Sequence, residues 1–171
     1  RSRSRAASRR SLPAPRSSWP IRRTSFPCSC VAGIGSAAIT TLSVESRDAH
    51  GYLPIHYAAE SGSVEVLEAL RRRDSRVNDQ KNQAGWSPLH FAAANGQAKA
   101  CAYLMDAGAQ LDVQDERGWT ALHHAAFRGD RSLIALFKRY RAPLDILNND
   151  GESPADLAER YHGDDIEATP R

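Results

Sequence analysis

The chain has 171 residues, 41% of them hydrophobic and 25% charged, which is typical of one globular domain. No run approaches the roughly 18–20 apolar residues that a membrane span needs, and three cysteines do not make a disulfide framework, so we expect an intracellular, by default cytoplasmic, protein. The net charge is +3, yet residues 1–44 hold eight Arg and no Asp, Glu or Lys, so the remainder is acidic, at −5.

Residues 1–32 are rich in Arg, Ser and Pro and form a basic tail. They contain too few aliphatic side chains to offset the entropy of ordering, so we expect them to be disordered or extended. This tail could contact nucleic acid or another acidic surface, and the arginines expected to do so are Arg9, Arg10, Arg22 and Arg23. The same composition is typical of a mitochondrial transit peptide, which makes the mitochondrion the alternative compartment. Four prolines would interrupt the amphipathic helix of such a peptide.

A short stretch then recurs at a nearly constant period. It runs from Gly51 to Ala59, again from Gly85 to Ala93 and again from Gly118 to Ala126, with His and an Ala pair at the same offsets each time. The copies begin 34 and then 33 residues apart, and a fainter copy starts at Gly151. A period near 33 residues indicates a solenoid, in which no unit can bury its apolar face alone.

The recurring stretch resembles the ankyrin repeat family, whose signature is Thr-Pro-Leu-His followed by a small pair and a Gly between two helices. The resemblance covers about residues 48–163 and implies an all-α ankyrin-repeat solenoid of stacked helix-turn-helix units with protruding turns, preceded by the disordered basic tail. The units are repeats at 48–81, 82–114 and 115–147, a C-terminal capping half repeat at 148–163 and a tail at 164–171. Residues 33–47 could be a degenerate N-terminal capping half repeat.

Three positions depart from the family pattern. Leu53 stands where the other units have Ser or Thr, so the first helix of repeat 1 should begin about 1 kcal/mol less favourably. Asp74 and Arg141 stand where the family has a left-handed Gly after the second helix. We expect Arg141 to cost roughly 1 kcal/mol there, whereas Asp tolerates that conformation better.

The residues do not point to catalysis or to a cofactor. His56, His90 and His123 match the structural histidine of the repeat, which in the family hydrogen-bonds the adjacent turn, and repeat spacing separates them too far for one metal ion. Cys28-x-Cys30 has no partner pair nearby, and no Ser–His–Asp or paired-carboxylate arrangement is evident. We therefore expect no enzyme activity and no cofactor.

The resemblance implies that partners meet the turn tips and the exposed side of each first helix, on a concave face. The aromatic residues after the turn glycines could form a ladder of hot-spot residues, or could fold against their own turns. We expect His124 to face or pack on the inner surface, and acidic turn tips such as Asp48, Asp115 and Glu116 to favour a basic peptide. The predicted partner-binding residues are Tyr52, Tyr57, Glu60, Trp86, Asn95, Arg117, Trp119, Phe127 (expected to be exposed) and Arg128.

The predicted function is a non-catalytic protein–protein interaction module that acts as a scaffold or adaptor. We expect a protein partner, and a chain that is monomeric alone or a subunit of a hetero-complex. One alternative is a peripheral subunit of a large (ribonucleo)protein assembly, anchored through the basic tail. Another is a regulatory fragment of a larger enzyme, because the chain does not begin with Met.

Overall fold

The computed structural model describes residues 45–163, which contain seven α-helices, one 3-10 helix and no β-strand. The α-helices are α1 (Pro54–Ser61), α2 (Val64–Arg73), α3 (Pro88–Ala94), α4 (Ala98–Asp106), α5 (Ala121–Arg128), α6 (Arg131–Arg139) and α7 (Pro154–His162), and the 3-10 helix Ser75–Asp79 follows α2. The expected all-α solenoid is confirmed. The predictions for residues 1–44, including the tail arginines, and for residues 164–171 lie outside the described residues. None of the seven helices is long and apolar enough to cross a membrane.

The helices form two layers. The first helices α1, α3, α5 and α7 pack side by side in chain order, and the second helices α2, α4 and α6 pack in the same order behind them. The core lies between the layers, and the Ala pairs of the recurring stretch, such as Ala92-Ala93, are fully buried in it. Because alanine is small, it lets neighbouring first helices approach closely, so the Ala pairs explain why the units stack.

Each first helix begins and ends at residues suited to those positions. Pro54, Pro88 and Pro154 lie in the first turn, where the missing N–H would have no partner within the helix. Gly62 and Gly129, with φ of 74° and 70°, end α1 and α5 and direct the chain into the second helix. The helix–turn–helix unit is therefore encoded locally in each repeat.

Leu53 makes no side-chain hydrogen bond to the start of α1, as the sequence predicted. Its side chain is 3% exposed within the core, and its N–H donates to Nδ1 of His56 at 2.8 Å. Burial of a leucine side chain contributes about 1.5–3 kcal/mol, which offsets the roughly 1 kcal/mol that a hydroxyl cap supplies. The less favourable start of α1 stays a prediction.

The ends of α2 and α6 differ. Arg141 has φ of 58° and is the one non-glycine residue with positive φ among the described residues, as expected. Asp74 instead is extended, with φ of −146° and ψ of 116°, so the prediction of a left-handed residue there is wrong. The chain continues into the 3-10 helix Ser75–Asp79, and this path accommodates the longer spacing, 34 residues, between the first two turn glycines.

Candidate binding face on the turn tips and first helices

The turn before each first helix is closed by an Asp or Asn side chain. Each Oδ1 accepts two backbone N–H groups, from the residues two and four positions later, at 2.8–3.0 Å. The four residues are Asp48, Asn82, Asp115 and Asn148. Because the same two bonds fix every turn, the four turn tips share one backbone geometry.

Backbone hydrogen bonds join each turn tip to the next. The N–H groups of Gln83, Glu116 and Asn149 donate to the carbonyl oxygens of His50, Ala84 and Arg117 at 3.3, 3.2 and 3.0 Å. The Asn149 side-chain amide adds a bond to the Glu116 carbonyl at 2.9 Å. The tips therefore form a preformed edge, and the predicted site residue Arg117 is exposed on it.

His56, His90 and His123 tie each turn to its own helix and to a backbone carbonyl further along the chain. Each Nδ1 accepts the N–H of the residue three positions earlier at 2.8–3.2 Å. Each Nε2 faces a backbone carbonyl at 2.9–3.2 Å, which lies at the end of the same repeat for His56 (Gln80) and in the next unit for His90 and His123. Because a carbonyl only accepts, Nε2 carries the proton and each ring is neutral. Burial lowers the pKa of each histidine to about 4. The predicted structural role is confirmed, and residues 45–163 contain no cluster of three or more potential metal ligands.

Where the turn residue is Asp, the helix that follows contains a side chain that can donate a hydrogen bond to it. Tyr57 donates its hydroxyl to Oδ2 of Asp48 at 2.7 Å, and Nε2 of His124 lies 3.3 Å from Oδ2 of Asp115. In the units that have Asn in the turn, the residue at the same place is apolar. The pairs, each nine residues apart, are Asp48 with Tyr57, Asn82 with Phe91, Asp115 with His124 and Asn148 with Leu157. The match follows from hydrogen-bonding capacity, because a carboxylate has a second acceptor oxygen where the amide of Asn has a donor nitrogen.

The pair in repeat 3 is deeply buried. The side chains of Asp115 and His124 are 1% and 2% exposed. Burial alone would raise the pKa of Asp115, but hydrogen bonds from His124 and from two backbone N–H groups lower it overall. Burial lowers the pKa of His124 despite the neighbouring carboxylate. Neither side chain is available to a partner. Of the two alternatives for His124, the structure has the packed one, because its ring contacts those of Trp86 and Trp119. The expectation that Asp115 attracts a basic peptide was wrong, because its side chain is buried.

Eight rings form a continuous row across the first helices and turns, which we call the aromatic row. Neighbouring ring centroids lie 4.5–5.6 Å apart, in tilted or edge-to-face orientations that aromatic pairs favour. In spatial order the rings are Tyr57, Tyr52, Phe91, Trp86, His124, Trp119, Phe127 and Tyr161. The three rings of the predicted ladder, Tyr52, Trp86 and Trp119, are thus in one row, and each is half-buried against its neighbours.

The other predicted site residues occupy varied surroundings. Phe127 was expected to be exposed, but it is half-buried between Trp119 and Tyr161. The Asn95 amide donates to the Phe91 carbonyl at 2.9 Å, and the Arg128 guanidinium donates to the Ala94 carbonyl at 3.0 Å. Asn95 and Arg128 therefore also satisfy helix-end carbonyl groups.

Sequence reasoning missed Tyr161. Its side chain is 45% exposed, and its ring meets that of Phe127 edge to face at 4.9 Å. It occupies the same place in α7 as Arg128 does in α5, ten residues after the turn glycine. If the alignment of the repeats is extended into the terminal half repeat, Tyr161 falls at this position.

Two family models match the chain. A model of ankyrin repeats in three copies matches residues 29–115, which is just over half of the chain, and a model of ankyrin repeats in many copies matches residues 97–137. A comparison with curated proteins found no match.

Proposed function

The chain belongs to the ankyrin repeat family, and on that premise we propose that it is a non-catalytic scaffold or adaptor that binds a protein partner. Ankyrin repeats are generally protein–protein interaction modules, and such domains are typically non-catalytic. The partner would bind on the first-helix face, by which we mean the turn tips and the exposed side of α1, α3, α5 and α7. The family resemblance implies that this face is concave.

The aromatic row is the observation that carries this proposal. Tyr and Trp side chains are the residue types that contribute most to binding energy in protein interfaces. Here they are supported by hydrogen-bonded turns and by neutral, buried histidines, so their positions are set before a partner arrives. A preformed surface loses little conformational entropy on binding, which favours affinity. Tyr161 extends the row to an exposed end of the described structure.

The test uses the full chain. Proteins captured by it would be identified by mass spectrometry, and the affinity of the purified partner would be measured by calorimetry. We expect the double substitution Trp119→Ala and Phe127→Ala to weaken binding at least tenfold, since hot-spot truncations cost about 2 kcal/mol or more. Circular dichroism and urea unfolding would establish that the variant is folded.

Two further variants test whether a loss of binding comes from the aromatic row and not from a general disturbance of the fold. Tyr161→Ala alters an exposed ring of the row without removing core packing, and it should also weaken binding. Tyr103→Ala removes a half-buried ring from the second-helix layer and should leave affinity unchanged. Unchanged affinity in the correctly folded double variant and in Tyr161→Ala would refute the assignment of the site.

A second candidate function rests on the composition of residues 1–44, which hold eight Arg and no acidic residue. Such a segment could bind nucleic acid as part of a larger assembly, through phosphate contacts. That function predicts RNA or DNA binding that falls steeply with salt and is lost when residues 1–30 are deleted. Salt-independent binding, or binding that survives the deletion, would contradict it.

A further inference from the structure

In repeat 3 and in the terminal half repeat, the ninth residue after the turn glycine lies beside the residue that follows that glycine. In repeat 3, Phe127 packs against Trp119 with ring centroids 5.6 Å apart. In the terminal half repeat, Arg160 forms an ion pair with Glu152. The ninth position is therefore a second row that runs beside the aromatic row on the first-helix face. Its members are Glu60, Ala94, Phe127 and Arg160.

This second row is interrupted by a small side chain at Ala94. Because α3 packs between α1 and α5, the repeat register places Ala94 in the row between Glu60 on α1 and Phe127 on α5. Neighbouring packed helices lie about 8–10 Å apart, so a methyl group in the middle unit leaves a recess between the outer two side chains. Ala94 is half-buried, as the floor of such a recess would be.

Glu60 supplies a negative charge at this recess. It is half-buried, its burial raises the pKa of its carboxyl group, and no cationic side chain within residues 45–163 pairs with it. Two arginines of neighbouring segments donate to backbone groups and not to this carboxylate: Arg47 donates to the Lys81 carbonyl, and Arg128 donates to the Ala94 carbonyl at the edge of the recess. A partly desolvated carboxylate without a counter-charge is unfavourable, and a cation from outside the chain would relieve it.

Two tyrosines add to the attraction for a cation. Tyr57 is three residues before Glu60 on α1, so both side chains lie on the same side of the helix. Its hydroxyl donates to Asp48, and its ring lies 5.5 Å from that of Tyr52. Electron-rich ring faces beside a carboxylate attract guanidinium and ammonium groups.

We propose that Tyr57, Glu60 and Ala94 form a site, the Glu60 site, which holds one arginine or lysine side chain of the bound polypeptide. This inference rests on the proposed function, because it specifies the partner that the first-helix face would select. The Glu60 site adjoins the aromatic row, so a polypeptide lying along the row would place a side chain there. The partner is therefore a segment with a basic residue flanked by residues that pack on aromatic rings.

The experiment uses the full chain as bait for a phage-displayed library of random twelve-residue peptides. The tightest enriched peptide is synthesised, together with an analogue in which its basic residue is norleucine. We expect enriched peptides to share an Arg or Lys at one position, and the norleucine analogue to bind about tenfold more weakly. Glu60→Gln and Ala94→Phe should each reduce the affinity for the basic peptide about tenfold, one by removing the charge and the other by filling the recess.

Matched control variants make the same kinds of substitution away from the Glu60 site. Glu65→Gln removes an exposed carboxylate on α2, and Ala135→Phe adds a ring to the exposed side of α6. Both should leave peptide affinity unchanged. Replacing Arg9, Arg10, Arg22 and Arg23 with Gln in the full chain should also leave it unchanged. An increase in affinity would overturn the assignment to a partner, because the chain's own tail would then occupy the site.

The outcomes distinguish the inference from the proposed function. Peptides that lose affinity in the Trp119→Ala, Phe127→Ala variant but bind Glu60→Gln and Ala94→Phe normally would overturn the Glu60 site alone. A library that yields no binder, or binders indifferent to all these variants, would overturn the first-helix face as well. Peptides without a shared basic residue would overturn the choice of ligand.

Discussion

Repeats 1 and 3 contain the same hydrogen-bonded pair in opposite surroundings. Both have an Asp in the turn and a donor nine residues later, Tyr57 in repeat 1 and His124 in repeat 3. In repeat 3 the two side chains are 1% and 2% exposed, and the His124 ring lies between two indole rings. In repeat 1 the Asp48 and Tyr57 side chains are half-buried at the end of the aromatic row.

The comparison shows that one local geometry can serve two purposes. Where neighbouring units cover the pair, removing one partner leaves a buried polar atom unsatisfied, so the pair mainly affects stability. Where the pair remains in contact with solvent, water can replace the missing partner, and the side chains are available for recognition. We therefore expect substitutions of the buried Asp115 and His124 pair to alter the free energy of unfolding, and substitutions around Glu60 in repeat 1 to alter binding.

Acid should have the largest effect, because it acts on a buried histidine in each of the three full repeats. The pKa of His56, His90 and His123 is about 4 in the folded chain and 6.5 without the fold. The unfolded state thus binds more protons between these values, and stability must fall as pH drops from about 6.5 to 4. Each histidine contributes up to about 1.4 kcal/mol per pH unit, so urea unfolding should show a loss of at least about 3 kcal/mol.

The control for this prediction is His50→Gln, which changes an exposed turn residue and keeps the four buried histidines. Its pH dependence should match that of the unaltered chain. A free energy of unfolding that stays constant between pH 6.5 and 4 would contradict the assignment of three neutral, buried rings.

His124→Phe should have the next largest effect. It removes the donor to Asp115 and leaves a buried carboxylate oxygen unsatisfied, which costs about 2–3 kcal/mol. Adding Asp115→Asn recreates the Asn82 and Phe91 pair of repeat 2, so the double variant should regain most of that loss. Urea unfolding of the two single variants and the double variant gives the coupling energy directly. Additive effects of the two substitutions would contradict the match between a turn Asp and a hydrogen-bond donor nine residues later.

Arg141→Gly and Asp74→Gly test the ends of the second helices. Arg141 has a left-handed backbone, so Gly should stabilise the fold by about 1 kcal/mol. Asp74 is extended and its side chain accepts the Arg76 N–H at 2.9 Å, so Gly should destabilise by about 0.5–1 kcal/mol. Thermal unfolding would measure both changes, and changes of the same sign would contradict the difference between the two ends.

Tyr57→Phe should have the smallest effect on stability, about 0.5 kcal/mol, because water can reach Asp48. It is the repeat 1 counterpart of His124→Phe, since each removes the donor to a turn Asp. Urea unfolding of these two variants side by side isolates the role of burial. Equal losses would show that solvent exposure does not distinguish the two repeats.

Much of the fold could be predicted because the recurring stretch repeats its own local signals. A proline in the first turn and a left-handed glycine after the last residue bound α1, at Pro54 and Gly62, and both signals can be read in the sequence. Asp74 could not be placed from the repeat alignment, since the additional residue of that unit changes the path of the backbone. Leu53 required knowledge of burial, because the identity of a capping residue does not reveal what its side chain packs against.

The candidate site could be predicted only in part from the sequence. The aromatic residues after the turn glycines could be found by counting, and so could the Asp and donor pairs, such as Asp115 and His124, nine residues apart. Whether a ring or carboxylate is buried depends on how neighbouring units stack, and the sequence of one repeat does not show this. That is why Asp115 looked like an exposed acid in the sequence, and why the roles of Arg128 and Asn95 at helix ends were not foreseen.

The most direct test measures stability and peptide affinity on the same two full-chain variants, Glu60→Gln and His124→Phe. We expect Glu60→Gln to lower the affinity for the library-selected basic peptide about tenfold and to change the free energy of unfolding by less than about 0.5 kcal/mol. We expect His124→Phe to lose about 2–3 kcal/mol in stability and to retain its affinity. If both variants lose stability and affinity together, the division between a buried supporting network and an exposed binding face is wrong.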